Sequence, residues 1–139
     1  MIYALDSNTI SYLLRDEGNI KENFSQKIIQ QADNSYVIPP MAVFEINRWL
    51  LDKPIKIMRA YMREFSNLLQ PVKNKAEISI DVWEKSADIY IMLKQKGQLI
   101  GDVDILIAAY CIINDYTLVT RNISDFKRID NLNFVSWFE

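Results

Sequence analysis

The 139-residue chain contains no histidine, one cysteine, three glycines and four prolines. The missing histidine excludes Ser-His-Asp and Cys-His catalysis, imidazole general-base chemistry and the commonest zinc sites. A single cysteine, Cys111, cannot form an internal disulfide, and a cytoplasmic location is the simplest expectation. So few glycines and prolines exclude a linker or a low-complexity chain. No apolar run approaches the roughly 20 residues of a membrane span, so no membrane association is expected. The opening "MIYALDSNTI" has no basic region before its apolar stretch and does not read as a secretory signal.

Half of the residues are hydrophobic, enough for a real core, and no repeat or internal boundary is visible, so residues 1–139 are expected to form one domain. Short apolar runs at 2–5, 36–38, 117–120 and 133–137 read as strands. Between them lie helical patterns. Residues 20–32 place Ile20, Phe24, Ile28 and Ala32 at fourfold spacing. Pro40 suits the first turn of "MAVFEINRWLL", Pro54 opens "IKIMRAYMREFSNLL" and Pro71 ends it, and "DVWEKSADIYIMLKQKG" finishes at Gly97. Strands alternating with helices imply parallel crossovers and an α/β fold, a three-layer α/β/α sandwich around a central parallel sheet.

In such sheets ligands gather beyond the carboxyl ends of the strands. Asp6 follows the first strand, Glu45 lies in the helix after the second, and Thr120, Arg121 and Asn122 follow the third, with Asp125 one turn on. The apolar helix after Gly101 carries two acids, Asp102 and Asp104, which point about 200° apart at about 100° per residue. Asp102 stands where a helix cap belongs. Asp104 shares its face with Ile107, Ala108 and Cys111 and therefore points inward, where a lone carboxylate is costly. A cation shared with Asp6 and Glu45 would satisfy it; an ion pair with a distant arginine is the alternative. Asp6 could equally be a turn or cap residue, and Glu45 a partly exposed one. Oxygen-only clusters suit Mg²⁺ or Mn²⁺. Cys111 reads as a small core residue. The net charge of −2 does not by itself advertise nucleic-acid binding.

The ordered set "YALDSNTISYLL", "PPMAVFEI", "IGDVDILIAA", "LVTRNISDFKRI" and "NLNFVSW" spans the chain and resembles a PIN-domain ribonuclease of the VapC toxin type. The resemblance implies a PIN fold, Mg²⁺- or Mn²⁺-dependent hydrolysis of RNA phosphodiesters by an activated water, and a toxin–antitoxin setting with a small antitoxin as partner. It matches Asp6, Glu45 and Asp104 to the family's metal-holding acids. The fourth position, after "VTR", is Asp in many PIN domains and Asn122 here, with Asp125 three residues on. The fourth contact is therefore open between these two, and a helical turn over "NISDF" would bring them to one face, with Phe126 anchoring it in the core. Ser7, Asn8 and Thr120 are candidates to orient carboxylates or water, or to cap and turn the backbone. Arg15, Arg48, Arg121, Lys127 and Arg128 are candidate phosphate contacts, Arg121 foremost because it abuts the site. Tyr12 and Trp49 would either stack on bases or pack in the core or at a subunit contact. The helix 55–69 holds more Met, Tyr and Phe than one face needs, which with the resemblance suggests a homodimer. A PIN-like module that binds RNA or a protein with little or no cutting is the alternative function, and the asparagine at 122 keeps it open. A phosphatase of the aspartyl-phosphate kind fits poorly, because "LDSN" puts Asn8 where a second acid would stand.

Overall fold

The first apolar run forms β1 (Ile2–Leu5), and its last three residues are buried. The chain passes directly from it into α1 (Ser7–Arg15), whose N-cap is Asp6. Then follow α2 (Ile20–Gln30), β2 (Ser35–Val37), α3 (Pro40–Leu51), α4 (Ile55–Leu69), α5 (Ile80–Gln95), α6 (Asp102–Asn114), β3 (Thr117–Val119), α7 (Ile123–Phe126) and β4 (Phe134–Val135). This computed structural model describes residues 1–30, 35–69 and 77–138. The expected helical position of Ala32 and the stop at Pro71 lie outside the described residues.

The strands form one sheet in the order β2-β1-β3-β4, every pair parallel. Tyr3 stands opposite Tyr36 on one side and Thr117 on the other, and Leu118 opposite Phe134. Helices flank this sheet as an α/β/α sandwich, as expected. The strands are shorter than the apolar runs that announce them: β3 stops at Val119 and β4 covers only residues 134 and 135. Thr120 still donates its backbone N–H to the Val135 carbonyl at 3.0 Å, so the chain stays tethered just past the strand end.

Pro40 occupies the first turn of α3, where its missing N–H costs nothing. Gly97 follows α5 with φ of 65°, and the Gln98 N–H reaches back to the Leu93 carbonyl at 2.8 Å, the bond pattern of a glycine-closed helix end. The cap at α6 differs from expectation. Gly101 is its N-cap, and Asp102 is its first residue, exposed and without a capping role. An acid there still meets the positive end of the helix dipole. The face of Asp104 runs inward as its spacing predicts, with Ile107, Ala108 and Cys111 wholly buried.

Helix α3 packs on α1, α4 and α6, and α6 also packs along α5. That arrangement carries Glu45 on α3 toward the end of β1 and the start of α6. Phe126 is fully buried and pins the short α7 beneath the β3 end. Among the described residues no helix is long and apolar enough to cross a membrane.

Candidate active site

Asp6 is only 2% exposed. Its Oδ1 accepts the Thr9 backbone N–H at 2.8 Å, which satisfies one of the free amides that open α1. The turn-or-cap reading of Asp6 is therefore correct as far as it goes. The carboxylate does more than cap, because the side chain of Thr120 also hydrogen-bonds to it and the charge of Glu45 acts on it. Burial pushes the Asp6 carboxyl above its ordinary value, the bonds from Thr120 and Thr9 pull it back, and Glu45 adds a push.

Glu45 is held by Ser7, whose hydroxyl donates to Oε1 at 2.7 Å. Its Oε2 lies 3.9 Å from the Arg48 guanidinium, but Arg48 is 66% exposed and that pair is a weak, solvent-screened one. Asp125 is held in a similar way. The Asn122 side-chain amide donates to its Oδ2 at 2.8 Å, and Arg128 stands 3.6 Å from Oδ1. The turn over 122–126 thus places Asn122 and Asp125 on one face. The Asn122 backbone N–H donates to the Thr120 hydroxyl oxygen at 3.0 Å, which links this turn to the residue that touches Asp6.

Asp104 is half-buried and has no hydrogen bond or ion pair among the described residues. Burial first, and then the charges of Asp6, Glu45 and Asp125, push its carboxyl up to about 6. The four acids that the sequence singled out therefore act on one another across the end of the sheet. They stand as a mutually repelling group rather than a ready-made cage: among the described residues no three acids or thiols already meet as a cation site. The donor set nonetheless fits a hard cation, since it is carboxylate oxygen throughout and Asp104 lacks a basic partner among the described residues. The alternative of a buried ion pair between Asp104 and a distant arginine does not hold. The Cys111 thiol is buried on the same helix and its pKa is raised by burial and by Asp6, so it stays protonated and inert.

The remaining candidates divide clearly. Ser7, Thr120 and Asn122 each bond to an acid, whereas Asn8 is exposed and Arg121 bonds instead to the Tyr12 hydroxyl at 2.7 Å. Arg128 serves Asp125 as its ion-pair partner, which accounts for it more directly than a phosphate contact does. Thr9, not among the residues expected from sequence, is fully buried; besides its bond to Asp6 it donates its hydroxyl to the Val119 carbonyl at 3.0 Å. The sequence carries a sign only of the local bond, since Thr9 stands three residues after an acid suited to capping, where a cap side chain accepts the backbone N–H; its bond to Val119 spans 110 positions and has no local signal.

A protein-family model for the PIN domain matches residues 3–132. The chain belongs to the PIN-domain family. Among individual relatives it is 29% identical over 138 residues to Ribonuclease VapC2 of Rickettsia felis, covering 99% of this chain and 98% of that protein. It is 24% identical over 143 residues to Ribonuclease VapC1 of Haemophilus influenzae, again covering 99% and 98%. A solved VapBC2 complex from Rickettsia felis, bound to a DNA fragment from their promoter, matches with a TM-score of 0.84 at 27% identity over 99% of both chains. The fold is also that of VapBC-1 from nontypeable Haemophilus influenzae, with a TM-score of 0.84 at 23% identity over 99% of this chain and 98% of that one.

The raised pKa of Asp104 has a stability consequence. The folded protein holds this proton up to about 6, whereas the unfolded chain releases it near 3.8. Folding therefore takes up a proton between those values, and the metal-free protein loses stability as pH rises through that window. Asp104→Asn should stabilise the metal-free protein at neutral pH by about 1 kcal/mol, after allowance for solvent screening, with the gain shrinking toward zero near pH 4. Urea unfolding across that range measures it. A loss of stability at neutral pH would mean that the carboxylate is paired with a basic group.

Proposed function

We propose that the chain is a metal-dependent endoribonuclease, the toxin of a toxin–antitoxin pair, acting in the cytoplasm and hydrolysing RNA phosphodiester bonds. The observation that carries this reading is Asp104: half-buried, without a basic partner among the described residues, and raised by three further acids. Such a group is destabilising unless a cation meets it. The names of the relatives, Ribonuclease VapC2 and VapC1, support RNA as substrate, and the VapBC complexes among the structural neighbours support a small antitoxin as partner.

On this reading Asp6, Glu45 and Asp104 hold Mg²⁺ or Mn²⁺. The bound cation supplies a Lewis acid that activates water and offsets charge developing on the phosphodiester. The protein's own groups do the rest. The Thr9 amide and Thr120 hydroxyl hold the Asp6 carboxylate in place and offset part of the cost of its burial. Ser7 fixes Glu45 through its 2.7 Å bond. Asp125 brings the remaining negative charge, and Asn122, a neutral amide, holds it in place. The need to ionise Asp104 makes cation affinity fall as pH drops through about 6.

A second reading, a PIN module that binds RNA or a protein with little cutting, draws on Asn122, which brings no charge of its own. Incubating RNA with Mg²⁺, with Mn²⁺ or with chelator separates the two. Asp6→Asn and Asp104→Asn are each expected to lower metal-dependent cleavage by at least about 100-fold while the protein stays folded. Asp102→Asn, at an exposed position on the far side of the helix start, should stay within about twofold. Wild-type cleavage by either of the first two would refute the assignment of the metal site.

The choice between the residues after β3 rests on charge. Calorimetric titration with Mn²⁺ is expected to show a larger loss of affinity for Asp125→Asn than for Asn122→Ala. Equal affinities would leave a site of Asp6, Glu45 and Asp104 alone. We also infer a homodimer. Helix α4 buries only Phe65 fully, and Ile55 and Ile57 are 58% and 44% exposed, which leaves apolar surface for a second copy. Light scattering should give about twice the chain mass of 16.3 kDa at micromolar concentration; a 16.3 kDa species alone contradicts the inference.

A further inference from the structure

A row of cations held by aromatic rings borders the acids. The Arg121 guanidinium lies 5.1 Å from the centre of the Tyr12 ring and also donates to its hydroxyl. Arg15 lies 4.8 Å from the same ring and 5.9 Å from that of Trp49. The Lys53 ammonium is 4.6 Å from the Trp49 ring, and Tyr61 stacks on Trp49 with centroids 5.7 Å apart and the planes only 12° from parallel. The order is thus Arg121, Tyr12, Arg15, Trp49, Lys53, drawn from the β3–α7 connection, α1, the end of α3 and the α3–α4 connection.

The row meets the acids at its middle and at its Arg121 end. A cleft of about 600 Å³ between α1 and α3 is lined by Arg15 and Trp49 together with Ser7 and Glu45. Arg121 directly follows Thr120, whose side chain bonds to Asp6. Neither Arg121 nor Lys53 pairs with a carboxylate among the described residues, and Arg15 meets only the exposed Glu17, at 3.5 Å. Asp52 also lines the cleft and Arg48 leans toward Glu45, so the row is not uniformly positive; Arg121 and Lys53 have no carboxylate partner among the described residues, and Arg15 has only the exposed, solvent-screened Glu17.

Two arginines gathered on one ring repel each other, and long side chains lose rotamer freedom when fixed. The ring quadrupole offsets part of both costs. An anion laid along the row would offset the rest. The rings themselves are taken: Tyr12 by two guanidinium groups, Trp49 by Tyr61 and by cations. Base stacking on them would require displacing these partners. We propose that Tyr12 and Trp49 are positioning residues that hold Arg121, Arg15 and Lys53 as a track for RNA backbone phosphates leading to the acid site, and that they are not stacking platforms for bases. The proposal rests on the nuclease reading above and names where its substrate lies.

The test is the salt dependence of binding to an unstructured RNA oligonucleotide, followed by fluorescence anisotropy in the presence of chelator, so that neither cleavage nor metal enters. Each phosphate that the protein no longer neutralises should make the plot of log affinity against log salt shallower by about 0.7. Arg121→Gln, at an exposed position, is expected to do so once. Tyr12→Leu should flatten the slope as much or more because it releases two cations, and Tyr12→Phe should restore most of it because the ring remains. Trp49→Leu and Trp49→Phe should behave alike through Arg15 and Lys53. If the leucine variants do not fold, Arg121→Gln alone decides. An unchanged slope for Arg121→Gln, or weaker binding by the leucine variants with the slope intact, overturns the proposal; the second pattern is that of base stacking. Absence of RNA binding by the wild type at about 50 mM salt overturns it as well. Failure of the nuclease reading shows separately, as wild-type RNA left uncut with Mg²⁺ or Mn²⁺.

Discussion

Asp6 ends an inner strand of the sheet and begins the helix that follows, and that placement keeps its carboxylate almost wholly from water. Burial of an acid at such a point would favour its neutral form. The Thr9 amide and the Thr120 hydroxyl counter this, one from the start of α1 and the other from the end of β3. The same carboxylate therefore sets where α1 starts and ties it to the neighbouring strand. Its backbone N–H adds a further tie, to the Val119 carbonyl at 3.4 Å. Once α1 is fixed, α3 packs against it and against α6, and Glu45 and Asp104 arrive beside Asp6 as a consequence of helix packing. The acid group is a product of the core's geometry, held there despite its own repulsion.

That repulsion is not relieved from within. The arginines nearest to the acids stand at 3.6 and 3.9 Å, and Arg48 is largely in water, so their fields are screened before they reach Asp104. The outcome is a negative floor with a positive border of Arg15, Arg121 and Lys53. A phosphodiester approaching this surface is drawn to the border and repelled by the floor. Only a cation on the floor reverses the second effect, so on the proposed reading binding and reaction are separable: the border attracts phosphate without a metal ion, more weakly as salt rises, and the floor accepts it only with one.

The elements whose signals are local were legible in the sequence. An apolar run ending in Asp-Ser-Asn announces a strand passing into a capped helix, and α1 begins one residue after Asp6. Helical period alone put Asp104 on the face of Ile107, Ala108 and Cys111, and separated it from Asp102. The three-residue spacing across the helical turn that Asn122 caps brings its amide to Asp125. The misjudged features depend on contacts between distant residues or on a boundary of one residue. Asp102 stands where a cap of α6 is expected, yet Gly101 beside it has the extended backbone of the cap. Ser7 meets Glu45 across 38 positions, and Arg121 meets Tyr12 across 109. No periodicity encodes such pairs. For Tyr12 and Trp49 the sequence leaves base stacking, core packing and a subunit contact open; their engagement with cations emerges only once α1, α3 and the β3–α7 connection stand side by side.

The asparagine at position 122 follows from the same electrostatics. Its amide donates to Asp125 Oδ2 while its backbone N–H bonds to Thr120, and Thr120 bonds in turn to Asp6. A carboxylate at 122 has no proton to give at neutral pH, so the bond to Asp125 would become a repulsion between two acids three residues apart. Asp104 already bears the charges of three others and is pushed up to about 6; a fifth charge nearby would raise it further and leave less of it ionised for a cation. With asparagine the turn after β3 contributes one negative charge instead of two, and that charge is held from both sides, by the amide on Oδ2 and by Arg128 on Oδ1. The neutral residue thus limits the repulsion among the acids while keeping Asp125 fixed beside them.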